Sequence, residues 1–330
     1  MNKRHAILAN HHPACVELRR RAPAPGRVFR SRGAFTLVEL LVVVAVVAVL
    51  IALLLPALAG ARGSAQMVKG ASNVRQLAIA NTTYAGDYDE RYMPAARDRR
   101  RNLHRWFGTR DTLGQPFDPA GGPITPYLDP DAPSRARDAA GRSSDAGRNA
   151  RDPLAELERL GVRVCPRFEP ELRGLRELGA GFELGCGGYA YNSFFVGADP
   201  RKRYVPGLDR PLYRLDADGR SEETGSRTTR FRDPAGTVMF ADAALAEERL
   251  IEYSFIHPAI YPDFAQPYRY DPSIHFRQLG RRANIAWLDG HVSQKRWAVS
   301  APATVYPLDP AEHDLGWFHA EADNRPFDDE

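Results

Sequence analysis

Sixteen successive residues, Leu40 to Leu55, are apolar, and counting back to Phe35 gives a segment of 21 with a single charge, Glu39, inside it. At about 1.5 Å per residue, a helix of that length covers the roughly 30 Å of a bilayer's hydrocarbon core. Lipid offers the backbone no hydrogen-bond partner, so the segment is expected to be helical in spite of its many valines. The flank before it carries eight Lys/Arg (Lys3, Arg4, Arg19, Arg20, Arg21, Arg27, Arg30, Arg32) against one acid, Glu17. That excess places the preceding side in the cytoplasm and sends the rest of the chain outward, so the expected site is the inner membrane. It also explains the net charge of +4: without residues 1–34 there remain 37 basic and 40 acidic residues, a net of −3. No basic stripe with interleaved aromatics is left in the body, so nucleic acid is not an expected partner.

Glu39 separates two readings of this segment. A secretory signal peptide has a shorter apolar stretch ending in a small-residue cleavage site, which Ala57, Ala59 and Ala61 would supply. It gains nothing from an acid within the run, which costs about 2.5–3.5 kcal/mol on insertion scales. A carboxylate kept there is expected to have a partner. Beyond Leu55 the positions Leu58, Ala61, Ala65, Val68, Ala71, Val74, Leu77 and Ala78 recur at three- and four-residue spacing, with Arg62, Lys69 and Arg75 elsewhere around the wheel. Gly60, Gly63 and Gly70 weaken that helix locally. It runs to about Tyr84, where Gly86 and Asp87 end it.

The run Ala34-Phe35-Thr36-Leu37-Val38-Glu39, followed by an apolar helix, resembles the precursors of the type IV pilin and type II secretion pseudopilin family. In that family a membrane aspartyl peptidase, the prepilin peptidase, cuts before the Phe and methylates the new amino group. The resemblance implies cleavage between Ala34 and Phe35, N-methylation of Phe35, and a role for Glu39 in aligning a subunit with its neighbour's N-terminus. The physics agrees, because cleavage creates an ammonium that can neutralise a carboxylate in the bilayer. Pro56 falls at mature position 22, where the family often has a helix-kinking proline. Ala34 stands where Gly is commoner, but cutting after Gly33 would shift Glu39 from fifth to sixth.

The stretch from Asn73 to Pro94 resembles a junction found in pilin-like proteins of planctomycete-type bacteria. That group also carries a His followed by Asp-Gly-His-Val, matched here, with a longer spacer, by His275 and Asp289-Gly290-His291-Val292. The resemblance implies an α+β fold, with a long N-terminal helix, membrane-spanning in its first half, packed on an antiparallel β-sheet head. It divides the chain into a cleaved basic leader at 1–34, a helix at 35–85 that spans the membrane over about 35–58, and an extracytoplasmic head at 86–330. The implied partners are the prepilin peptidase, other pilin-like subunits and the secretion or pilus machinery.

Within the head, Asn284–Leu288 and His291–Trp297 flank the hairpin signal Asp289-Gly290, and Thr237–Ala241 and Tyr189–Phe195 read as strands. Residues 129–153 have no aromatic and are expected to be a flexible insertion, residues 214–229 a second polar loop, and the acidic tail from His319 a frayed end. Cys165 and Cys186 remain once Cys15 leaves with the leader, and both stand at bends on the oxidising side, so a disulfide is expected between them. His275, Asp289 and His291 near Asp242 can be drawn as a metal or acid–base cluster, but turn and strand-end roles explain them more simply. No GxSxG, HExxH, phosphate loop or CxxC is present, so no enzyme, metal or cofactor is expected. Asp216-Ala-Asp218-Gly219 is similar to the start of a calcium loop but lacks its later Asp/Asn-Gly and its closing Glu; the resemblance leaves a calcium site in the head open, since some pseudopilins bind calcium there. The functional readings are three: a structural subunit of a pilus or pseudopilus, a tethered binding module that uses the prepilin leader for export and anchoring alone, and an anchored enzyme.

Overall fold

The computed structural model describes residues 36–98, 101–129, 164–178, 183–198, 224–259, 271–301, 306–319 and 325–327. The expected insertion, apart from Asp129, and Asp216–Gly219 lie outside these residues. The chain divides into two compact units, Met1–Leu54 and Leu55–Glu330. Its first element is a helix, α1 (Leu37–Asp87), which begins in the first unit and ends in the second. In the first unit every described residue of α1 is exposed, with apolar side chains turned outward all round. Such a surface is stable against lipid and not against water.

In the second unit α1 buries one face: Gly63, Gly70, Asn73, Val74, Leu77, Ala78, Asn81 and Ala85 among others. This corrects the expected stripe. Val74, Leu77 and Ala78 are inside, but Leu58 and Val68 are exposed, and glycines take the inner positions. The reason is close approach. A Cβ on Gly70 would stand 2.9 Å from Asn284 Nδ2, and one on Gly63 3.0 Å from Leu279 Cδ1. Of the three glycines that weaken the helix by propensity, Gly63 and Gly70 are those that let it reach the head.

The head is antiparallel throughout its named strands. Short pairs join β1 (His104–Arg105) to β2 (Gly108–Thr109), β5 (Leu245–Ala246) to β6 (Leu250–Ile251), and β7 (Ile274–His275) to β10 (Leu315–Gly316). The main sheet contains β3 (Tyr189–Tyr191), β4 (Val238–Asp242), β8 (Arg282–Trp287) and β9 (Val292–Arg296) in the order β3-β4-β8-β9. Short helices α2 (Thr125–Leu128) and α3 (Glu169–Leu178) lie between β2 and β3. A long apolar N-terminal helix followed by antiparallel sheets is an α+β, pilin-like arrangement. The core is aromatic, with Trp106, Phe107, Tyr189, Tyr191, Phe240 and Trp317 all essentially inaccessible.

Three expectations change in detail. Chain turns replace the second half of the strand expected over Tyr189–Phe195. The polar loop expected over 214–229 is anchored at its end, where Ser226 is fully buried and Arg227 bridges to Arg91. The acidic tail is pinned rather than frayed at 325–327: Phe327 is fully buried, Pro326 O accepts from Val238 N (2.7 Å), and Phe327 O accepts from Asn192 Nδ2 (3.0 Å).

Candidate functional site

The helix start is built from Thr36 and Glu39. Thr36 N and Oγ1 both donate to Glu39 Oε2, at 2.9 and 2.7 Å, while Glu39 N donates to Thr36 Oγ1 at 3.2 Å. Leu40 N donates to Thr36 O at 3.2 Å, the first turn of the helix. This is a reciprocal capping box, with Thr36 as N-cap and Glu39 three residues on. It satisfies backbone donors that the first turn leaves without partners, and it sets the carboxylate at the positive end of the helix dipole. The costly charge therefore has a local partner. Ala34 and Phe35, the expected processing pair, lie outside the described residues. Pro56 lies within α1, and the helix continues through it.

A capped, apolar, outward-facing helix with one acid at its head fits a membrane anchor. Residues 29–55 match the prokaryotic N-terminal methylation motif. The match supports a type IV pilin-like protein, and with a helix long and apolar enough to cross a membrane it fits a membrane-anchored one. No curated protein and no solved structure matches the chain.

In the head, two asparagines on α1 hold tyrosines of β3. Asn73 Nδ2 donates to Tyr189 Oη (3.2 Å) and to Val164 O (3.0 Å). Asn81 Nδ2 donates to Tyr191 Oη (3.0 Å), its Oδ1 accepts from Met93 N (2.9 Å), and Tyr191 Oη donates to Met93 O (3.0 Å). Sequence reasoning missed this clamp, although both asparagines fall on the buried face by spacing. It also missed the buried pair of Arg105 Nε with Glu183 Oε1 at 3.0 Å, which nothing local in the sequence signals.

The residues of the C-terminal signature occupy unlike surroundings. His275 is buried on β7, edge-on to Phe168 at 5.9 Å, and its Nδ1 has no hydrogen-bond partner among the described residues. Burial, with Arg277 and His313 adding to it, holds its pKa well below the usual 6.5, so the ring is neutral. Asp289, Gly290 and His291 form the exposed turn between β8 and β9. Of the two turn residues, Gly290 has a positive φ (85°). Asp289 Oδ1 meets His291 Nδ1 at 2.6 Å, and the imidazole stacks on Trp287 at 5.5 Å. Burial is the largest single influence on the Asp289 carboxyl and pushes it up, but the hydrogen bonds and charge of His291 together outweigh burial and hold the carboxyl below its ordinary value. Among the described residues no three His, Cys, Asp or Glu side chains are grouped to hold a metal ion.

Asp242 is fully buried at the end of β4, where its carboxylate accepts from Asn284 N (2.8 Å), Gln278 Nε2 (2.9 Å) and Cys165 Sγ (3.5 Å). Burial raises its pKa, opposed by Arg277 and those hydrogen bonds. The disulfide expected between Cys165 and Cys186 is absent, and both are free, buried thiols. Their segments do meet, with Cys165 N donating to Gly187 O at 2.8 Å. The Cys165 thiol is nonetheless committed to Asp242. Burial pushes it up to about 12, and burial beside Glu252 and Glu183 lifts Cys186 well above its ordinary value.

Proposed function

We propose that this chain is a structural subunit of a type II secretion pseudopilus or type IV pilus-like assembly, processed by a prepilin peptidase. The observation that carries this reading is the carboxylate of Glu39, held by Thr36 at the head of an exposed apolar helix that matches the methylation motif. Cleavage between Ala34 and Phe35 would place a methylated ammonium four residues before that carboxylate. In the single subunit the capping box satisfies Glu39. On assembly, a neighbour's N-terminus supplies a full positive charge, which a carboxylate in a low-dielectric medium prefers to neutral donors. The role is one of polymerisation through α1, with no catalysis assigned to the head. The mature chain would sit in the inner membrane with its N-terminus at the cytoplasmic face and its head outside.

Glu39→Ala tests this reading. Insertion should be unchanged or eased, because the variant loses a charge worth about 2.5–3.5 kcal/mol in the membrane. Recovery with pilin-like partners from native membranes should fall sharply. Undiminished recovery would instead favour a head that is merely tethered in the membrane.

A further inference from the structure

The main sheet has two edges, and they differ. The outer side of β3 is closed, since Tyr191 N donates to Ser254 O (3.0 Å) and Ile256 N donates to Tyr191 O (2.9 Å). Among the described residues β9 has no such cover. Its register sets Ser293 against Ile285 and Lys295 against Ala283, and Trp287 N to His291 O and Trp297 N to Arg281 O are hydrogen bonds of 3.0 Å. In an antiparallel ladder the bonded residues alternate, so the N–H and C=O groups of Val292, Gln294 and Arg296 face away from β8. They meet no backbone partner among the described residues.

Three cations at this edge lack an acidic partner among the described residues. Arg282, opposite Arg296 in the register, has no carboxylate partner among the described residues, and neither have Lys295 and Arg296. Neighbouring Arg281, by contrast, is paired with Asp314 at 2.7 Å. Lysines on a free edge often serve to keep other strands away. Here Lys295 lies over the Trp287 ring at 5.1 Å, and the first three residues of the strand, Val292 to Gln294, are uncharged. The cations gather at one end of an open stretch of backbone.

We propose that β9 is a docking edge that takes an extended, acidic segment of a partner polypeptide as a fifth strand of the sheet. Backbone pairing to Val292, Gln294 and Arg296 would give the register, and Arg282, Lys295 and Arg296 the preference for acids. A second copy of this chain is a poor occupant, because β9 against β9 would bring two sets of these cations together.

Amide exchange on the full chain in detergent micelles tests it, with an alternating Val/Glu peptide as probe and its Val/Lys counterpart as control. The Glu peptide should slow exchange at Val292, Gln294 and Arg296 and leave the already bonded Ser293 and Lys295 unchanged. Gln294→Pro removes one outward N–H at an edge position where proline is tolerated, and should weaken binding about tenfold. Arg282→Ser with Arg296→Ser should weaken it several-fold at low salt and little at high salt. If Gln294→Pro disturbs the fold, seen as lost protection at Ser293 and Lys295, the arginine variants decide alone. Equal binding of the two peptides, binding without the three protections, or an unaltered double-serine variant would overturn the proposal. So would protection of the same amides that grows with protein concentration when no peptide is present, which would make the edge self-pairing.

Discussion

Thr36 contributes as much to the head of the helix as Glu39 does. Thr36→Ala leaves the carboxylate in place but removes the cap, at a cost of about 1 kcal/mol. The Glu39 amide should then exchange roughly fivefold faster in micelles, and an unchanged rate would refute the capping role. The Thr-x-x-Glu pattern is legible in the sequence as a capping box, although its more obvious reading is as a processing motif. His275 was legible as a signature residue and not as a buried one, since nothing in its neighbours announces its environment. Because its folded pKa lies below the ordinary 6.5, the stability of the neutral ring is complete above that pH and is lost as the pH falls toward the folded value. Melting temperature should therefore decline below about pH 6.5, and His275→Phe should flatten part of that decline. An identical slope in the variant would contradict this. Cys165 and Cys186 should map as free thiols, slow to alkylate until the protein unfolds, because buried protonated sulfurs are poor nucleophiles. A Cys165–Cys186 bridge on non-reducing mapping would overturn that assignment.

Among the elements, α1 and the β8–β9 hairpin were the most legible, because an apolar run and an Asp-Gly turn act over a few residues. The face that α1 buries was not, since hydrophobic periodicity says nothing about backbone approach. Gly63 and Gly70 count against a helix by propensity, yet they stand where Leu279 and Asn284 pack. The contrast can be measured in one helix. Gly60 has open space around it, so Gly60→Ala should stabilise by up to about 1 kcal/mol. Gly70→Ala forces the Asn284 side chain to move and should destabilise by about 1–3 kcal/mol. Thermal unfolding in detergent reads both, and shifts of the same sign would show that helix propensity governs both positions. The tail at 325–327 misled for a related reason. Its acids read as solvated, but Phe327 fills a core position that composition cannot reveal.

At the scale of the whole molecule, the chain is an exposed apolar helix segment and a separate aromatic-cored head, two units with different solvents. The anchor could be read in advance because lipid narrows the choices to a helix of the right length, and a lone carboxylate within it is costly enough to carry meaning. The head could be read only as α+β, because its strands are short and its core is assembled from residues far apart in the chain, such as Trp106 Nε1 donating to Ser254 O at 3.0 Å. The central claim is that Glu39 belongs to a processed, methylated helix start, and N-terminal mass spectrometry of the membrane-extracted protein tests it most directly. The expected result is a chain that begins at N-methylated Phe35. A chain that begins near residue 60 would contradict it, because Glu39 and the apolar run would then have been removed as a signal peptide.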